Sequence, residues 1–152
     1  MLEIAEKVSF ILATGPAEVG ILANILTGWK LDFIVLTNDT EAGRIIRNEL
    51  KINLFGNDEI MASRHLLSLE NGRLVADLFS TIDFKNYVLH QRVGITESNT
   101  ECIFFNDLSP VILAHGFHQD VMKGTIKWED LDAESRARIF DVAERILELL
   151  KK

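Results

Sequence analysis

Cysteine is almost absent from this sequence. The single Cys102 excludes an internal disulfide and makes a cysteine-based zinc site implausible, because such sites draw on several thiolates. Basic residues are also few, with 16 Lys and Arg against 23 Asp and Glu, for a net charge of −7. Neutralising a duplex backbone requires clustered cations, so this balance argues against a broad basic surface for duplex nucleic acid; it does not exclude a site that recruits metal ions for its positive charge. No run reaches the roughly 18 apolar residues of a membrane helix. The first residues, Met1 to Lys7, carry Glu3 and Glu6 and lack a basic start followed by an apolar run. Cytoplasm is therefore the expected location.

The 152 residues are 47% hydrophobic and 26% charged, the balance of one globular domain with a core. Val8 to Ala13 (VSFILA) predicts a buried strand, ended by Thr14-Gly15-Pro16. Ala17 to Thr27 places Val19, Leu22, Ala23 and Leu26 at helical spacing, and Gly28 closes that helix. Phe33 to Thr37 (FIVLT) reads as a strand covered on both faces. After the polar turn Asn38 to Ala42, Ala42 to Leu54 forms an amphipathic helix with Ile45, Ile46, Leu50 and Leu54 on one side, ended by Gly56-Asn57-Asp58. Ile60 to Leu69 is expected to hold a third strand. This alternation predicts a mostly parallel sheet with right-handed crossovers, and ligands in such sheets gather at the strands' carboxyl ends. The turns at Thr14–Glu18 and Asn38–Gly43 would then share one rim.

Residues 71–152 read as mainly helical, following the α/β part at 1–70. Asn71-Gly72 is a turn, and Val75 to Phe79 leads into a helix from Ile82 to Arg92 with Phe84, Val88 and Leu89 inward. Gly94 to Thr100 is expected as a loop. Ser109-Pro110 starts a helix that runs to Lys123 and ends at Gly124. Glu134 to Leu150 carries Ile139, Val142, Ala143, Ile146, Leu147 and Leu150 on one stripe, with Lys151-Lys152 at its negative end.

The turn Thr37-Asn38-Asp39-Thr40-Glu41-Ala42-Gly43-Arg44 is the first candidate for chemistry. Its carboxylates suit oxygen-loving cations such as Mg²⁺. Asp39, Thr40 and Glu41 equally suit a helix N-terminus, where acids and hydroxyls meet orphan N–H groups. Gly15-Pro16-Ala17-Glu18-Val19-Gly20 lacks the Gly-Lys-Ser/Thr ending of a phosphate loop and is a tight turn. His115 and His118 share a helix face without an evident third ligand, and His65 and His90 are isolated. Cys102, beside Ile103-Phe104-Phe105, is expected as a small core residue. Trp29, Trp128 and the Phe104-Phe105 pair, which follow apolar runs, are expected in the core.

The segment GWKLDFIVLTNDTEAGRIIRNELK (Gly28 to Lys51) resembles the aspartate-motif strand and helix of Toprim domains, closest to those of OLD-family, ATPase-linked nucleases. FILATGPAEVGILANIL (Phe10 to Leu26) resembles the strand and helix before that motif. LVADLFSTIDFKNYVL (Leu74 to Leu89) resembles the segment after it, and Val111 to Ile146 the terminal helix pair. The resemblance implies a Toprim/Rossmann-like sheet and a site using Mg²⁺ or Mn²⁺ to cleave phosphodiesters. The departures bear on activity. A gapless match puts the Asp-x-Asp positions on Asn38 and Thr40, with Gly43-Arg44 opening the helix, and the later acidic pair on Ala76 and Asp77. The first glutamate strand has no counterpart. Asp39, Glu41 and Asp77 are the remaining candidate metal ligands and catalytic acids, fewer than a two-metal site employs. The resemblance thus implies a degenerate, non-catalytic module that binds a partner protein or nucleic acid in DNA processing or phage defence. The alternative is a metal-dependent endonuclease using those three acids. The missing strand implies an exposed sheet edge, completed by a second copy or a partner chain.

Overall fold

The computed structural model describes residues 8–11, 13, 15–70, 74–91 and 98–151. Glu3, Glu6, Leu12, Thr14, Asn71, Gly72, Arg92, residues 94–97 and Lys152 lie outside them. Helix α1 spans Pro16–Gly28, with proline in its first turn where a missing N–H costs nothing. Strand β1 (Val35–Thr37) leads through the polar turn into α2 (Glu41–Asn53), and α3 (Glu59–His65) runs directly into β2 (Leu66–Ser68). The two strands pair in parallel, Val35 opposite Leu66 and Thr37 opposite Ser68. Ala23, Leu50, Ala62, Leu67 and Leu69 are buried here.

The remainder is helical. A 3₁₀ turn (Val75–Leu78) precedes α4 (Thr81–Asp83), which continues as one wide π turn, Phe84–Val88. Helix α5 is Asn99–Phe105, α6 is Pro110–Met122, and α7 is Ala133–Leu150, entered through a 3₁₀ turn at Trp128–Asp130. Phe84, Val88, Cys102 and Ile103 form the second core, with Ala76, Phe79, Leu89, Leu108, Leu113 and Phe117 packed on it. Phe79 and Phe117 meet edge to face at 4.9 Å, the arrangement their ring quadrupoles favour. No described helix is long and apolar enough to cross a membrane.

Several expectations are corrected. The described residues of Val8–Ala13 form no strand, and Phe10 and Ile11 are 83% and 60% exposed. Among the described residues β1 pairs only with β2, so nothing there satisfies the backbone of an earlier strand. Most of Ile60–Leu69 is helix, because Asp58 accepts hydrogen bonds from the N–H groups of Ile60 (2.9 Å) and Met61 (3.1 Å) and starts α3; only Leu66–Ser68 is extended. Helix α1 includes Gly28, and the left-handed residue behind it is Lys30. Asn99 and Thr100 belong to α5 rather than a loop. Ser98 accepts from the Glu101 N–H while Glu101 accepts from the Ser98 N–H, a reciprocal cap that starts the helix. Trp29, Trp128, Phe104 and Phe105 are exposed, not core. Helix α5 turns Cys102 and Ile103 inward, so the next two positions rotate outward. Cys102 is buried, as expected.

The N-termini of α4 and α7 are locked together. Ser80 caps α4 by accepting from the Asp83 N–H (3.1 Å), and Asp132 caps α7 by accepting from the Ser135 N–H (2.8 Å). The caps also bond each other. The Ser80 hydroxyl donates to Asp132, the Ser80 N–H to Ser135 Oγ (2.8 Å), and the Asp132 N–H to Asp83 (2.8 Å). Ser80, Asp83 and Ser135 are buried. The Ser135 N–H first, and the Ser80 hydroxyl second, hold the Asp132 carboxyl below the usual carboxylate range. Its folded-state proton affinity is thus lower than its unfolded one, so it stabilises the fold above the ordinary carboxylate pKa. That contribution is lost as pH falls through the depressed value. Asp132→Ala is expected to lower stability at neutral pH by about 0.5–2 kcal/mol, the scale of a lost cap. It should also flatten the acid limb of a stability–pH curve measured by urea denaturation. An acid limb as steep as the wild type's would overturn this role.

Candidate functional site

Arg47, on the first half of α2, organises the turn after β1. Its guanidinium donates to the Thr37 hydroxyl and to the Asn38 carbonyl (3.3 Å), clamping the strand's end to the helix. Thr37 is buried and its hydroxyl also reaches the Leu67 carbonyl on β2 at 3.5 Å. Thr40 is the N-cap, accepting from the Gly43 N–H at 3.2 Å, and Glu41 stands exposed in the first turn, facing the positive end of the helix. Gly43 is required by packing: a Cβ there would lie 2.0 Å from the Asn38 carbonyl oxygen. Asp39 extends toward Arg44 (3.4 Å) and Arg47 (4.0 Å).

Asn38, Asp39, Thr40 and Glu41 thus share one turn, with Gly43 and Arg44 opening the helix behind them. Asp77 is placed on the 3₁₀ turn of the other half. Its carboxylate accepts from the Leu74 N–H (3.0 Å), the Thr100 N–H (3.3 Å) and the Thr100 hydroxyl, tying that turn to the start of α5. Ala76 beside it packs on the apolar cluster around Phe84, where a carboxylate would be desolvated without a partner. Among the described residues no three His, Cys, Asp or Glu side chains gather as a metal ion requires. The donor set does not fit Mg²⁺ or Mn²⁺: Asp39 faces guanidinium groups, Thr40 is engaged as a cap, and Asp77 is bound to backbone and hydroxyl donors.

A groove of about 570 Å³ runs from this turn between α2 and α3. It is lined by Arg44, Arg47, Lys51, Glu41 and Glu59, with Ile45 and Ala62 among its apolar residues. Lys51 and Glu59 pair across it. Both signs of charge therefore occur along one short channel.

The histidines have structural partners or lie on the surface. His65 stacks between Phe33 (4.7 Å) and Phe55 (5.2 Å), and its Nδ1 is 2.9 Å from the Phe33 carbonyl. His90 lies 3.0 Å from Asp120. His115 and His118 are exposed on α6. Sequence reasoning missed Arg47 as the organiser of the turn. It also missed Asn99, whose Nδ2 donates to the Ala76 and Phe79 carbonyls at 2.8 Å each. The spacing Thr40-x-x-Gly43-x-x-x-Arg47, one helical turn beyond the glycine, was the available signal.

No family model, curated protein or solved structure matches the chain.

Two substitutions separate packing from charge at the turn. Gly43→Ala is expected to cost about 1–3 kcal/mol, since the added methyl group meets fixed backbone. Asp39→Ala should cost at most about 1 kcal/mol, because its ion pairs are partly exposed. Thermal and urea unfolding of both variants checks this; a tolerated Gly43→Ala would show that the turn relaxes.

Proposed function

We propose that this chain is a degenerate Toprim-like module that binds a partner protein or nucleic acid without cutting phosphodiesters, in DNA processing or phage defence. The observation that carries this reading is the environment of Asp39. The turn keeps the form the resemblance implies, a strand, a polar turn, and a helix opened by Gly43 against the Asn38 carbonyl. Its one acid on the strand side of the cap, however, is neutralised by Arg44 and Arg47, where metal-dependent cleavage would need it to share an ion with other carboxylates.

The adjoining groove supports binding over catalysis. Its mixed charges, Arg44, Arg47 and Lys51 with Glu41 and Glu59, complement a protein surface of mixed sign better than a uniform polyanion. The two-stranded sheet adds a second point of attachment. With only β1 and β2 paired among the described residues, the outer edge of β1 is one that another chain's strand can join, whereas on β2 the Ser68 carbonyl is taken by Arg145. A Toprim/Rossmann-like sheet completed in this way belongs to the same proposal.

The test is nicking of supercoiled plasmid in Mg²⁺ and in Mn²⁺, run beside Asp39→Ala, with oligonucleotide binding followed by anisotropy across a salt series. Expected is no nicking above the variant's background; oligonucleotide binding that survives physiological salt would make nucleic acid the bound partner, and binding lost there would leave a protein. Metal-dependent nicking that disappears in Asp39→Ala would establish the endonuclease instead.

A further inference from the structure

Helix α1 carries a surface that the proposed function does not use. Ile21, Ile25 and Trp29 follow one another at four-residue spacing, and their exposures are 61%, 41% and 71%. Leu31, 50% exposed, is folded back on the helix end through its N–H to the Leu26 carbonyl at 3.0 Å. The opposite side of α1 holds the buried Ala23 and lies toward α2. A helix that is apolar all round belongs to a buried setting, yet here one whole side faces solvent.

We propose that this face is the two-fold interface of a homodimer, formed by antiparallel packing of α1 on α1 of a second copy. In the antiparallel register that brings Ile21 of one copy opposite Ile25 of the other, Trp29 falls over Ala17. Ala17 is exposed, so the largest side chain of the face meets one of its smallest. Gly28 lies at the same end, and a Cβ placed there would meet nothing in its own chain, leaving room for a close approach by the neighbour.

Charge favours a second copy as the occupant. The chain carries a net −7, so two copies repel through most faces they could present. Between Pro16 and Trp29 the only charged residue is Glu18, which makes this the side where like copies approach without like charges opposed. The area also suffices. Exposed aliphatic and aromatic side chains of these fractions amount to on the order of 500 Å² per copy. Pairing therefore buries on the order of 1,000 Å² in total, the scale at which specific interfaces begin.

Sedimentation velocity and light scattering of the full chain over a dilution series test this. A dimer that dissociates on dilution is expected. Ile25→Glu and Ile21→Lys should each weaken it at least about tenfold, as loss of a central apolar anchor does. An equimolar mixture of the two variants should recover a heterodimer, because the new Glu of one copy then faces the new Lys of the other. Circular dichroism confirms that each variant is folded, and Ile25→Ser replaces Ile25→Glu if the latter is not. A wild type that stays monomeric at high-micromolar concentration overturns the proposal. So does a dimer whose affinity the folded variants leave unchanged. Recovery of no heterodimer in the mixture overturns the antiparallel register.

Discussion

Two helix N-termini, those of α4 and α7, meet in this protein, and each brings orphan N–H groups and the positive end of its dipole. Left alone, such a junction would be doubly unfavourable, with unsatisfied donors and like partial charges opposed. Ser80 and Asp132 each cap their own helix and bond to one another, while Asp83 and Ser135 accept from the facing cap's backbone. The two carboxylates offset the two dipole ends. Arg138 and Arg145 extend the attachment of α7, reaching the Asp77 carbonyl at 3.1 Å and the Ser68 carbonyl at 3.1 Å. The C-terminal helix is thereby fixed both to the second core and to the end of β2.

The motif turn follows the same logic of satisfying backbone groups with side chains, using a cation in place of an acid. Arg47 holds Thr37 and Asn38 in position, Thr40 closes the helix start, and Gly43 leaves space for the Asn38 carbonyl. Asp39 then balances the guanidinium charge. A carboxylate placed this way contributes to the turn's electrostatics and has little freedom to serve an ion.

The helices were legible in the sequence wherever a cap residue and an apolar stripe coincided. Ser109-Pro110 and the stripe from Ile139 to Leu150 marked α6 and α7 almost to the residue. The strands were less legible, because a short apolar run such as VSFILA has the composition of a strand whether or not a partner strand exists to bond it. Asp58 was read as the end of one helix when it also begins the next, and Ser98-x-x-Glu101 went unread as a cap. The turn's outline at Asn38 to Arg44 was visible from spacing. Its dependence on Arg47 was not, since that contact joins residues ten apart through a buried hydroxyl. The separation of Asp77 from Asp39 depends on tertiary placement that no local pattern records.

The junction of α4 and α7 has a bearing on how the molecule opens. Its cross-helix hydrogen bonds span 49 to 55 residues of chain, so they close only after the intervening segment has been gathered, and loop-closure entropy delays them. Within the native state these amides share one fate. Parting the two helix ends breaks the bonds of the Ser80 and Asp132 N–H groups in a single event, giving those two amides common protection against hydrogen exchange. The starts of α4 and α7 are therefore coupled in opening, although half the second core's sequence lies between them.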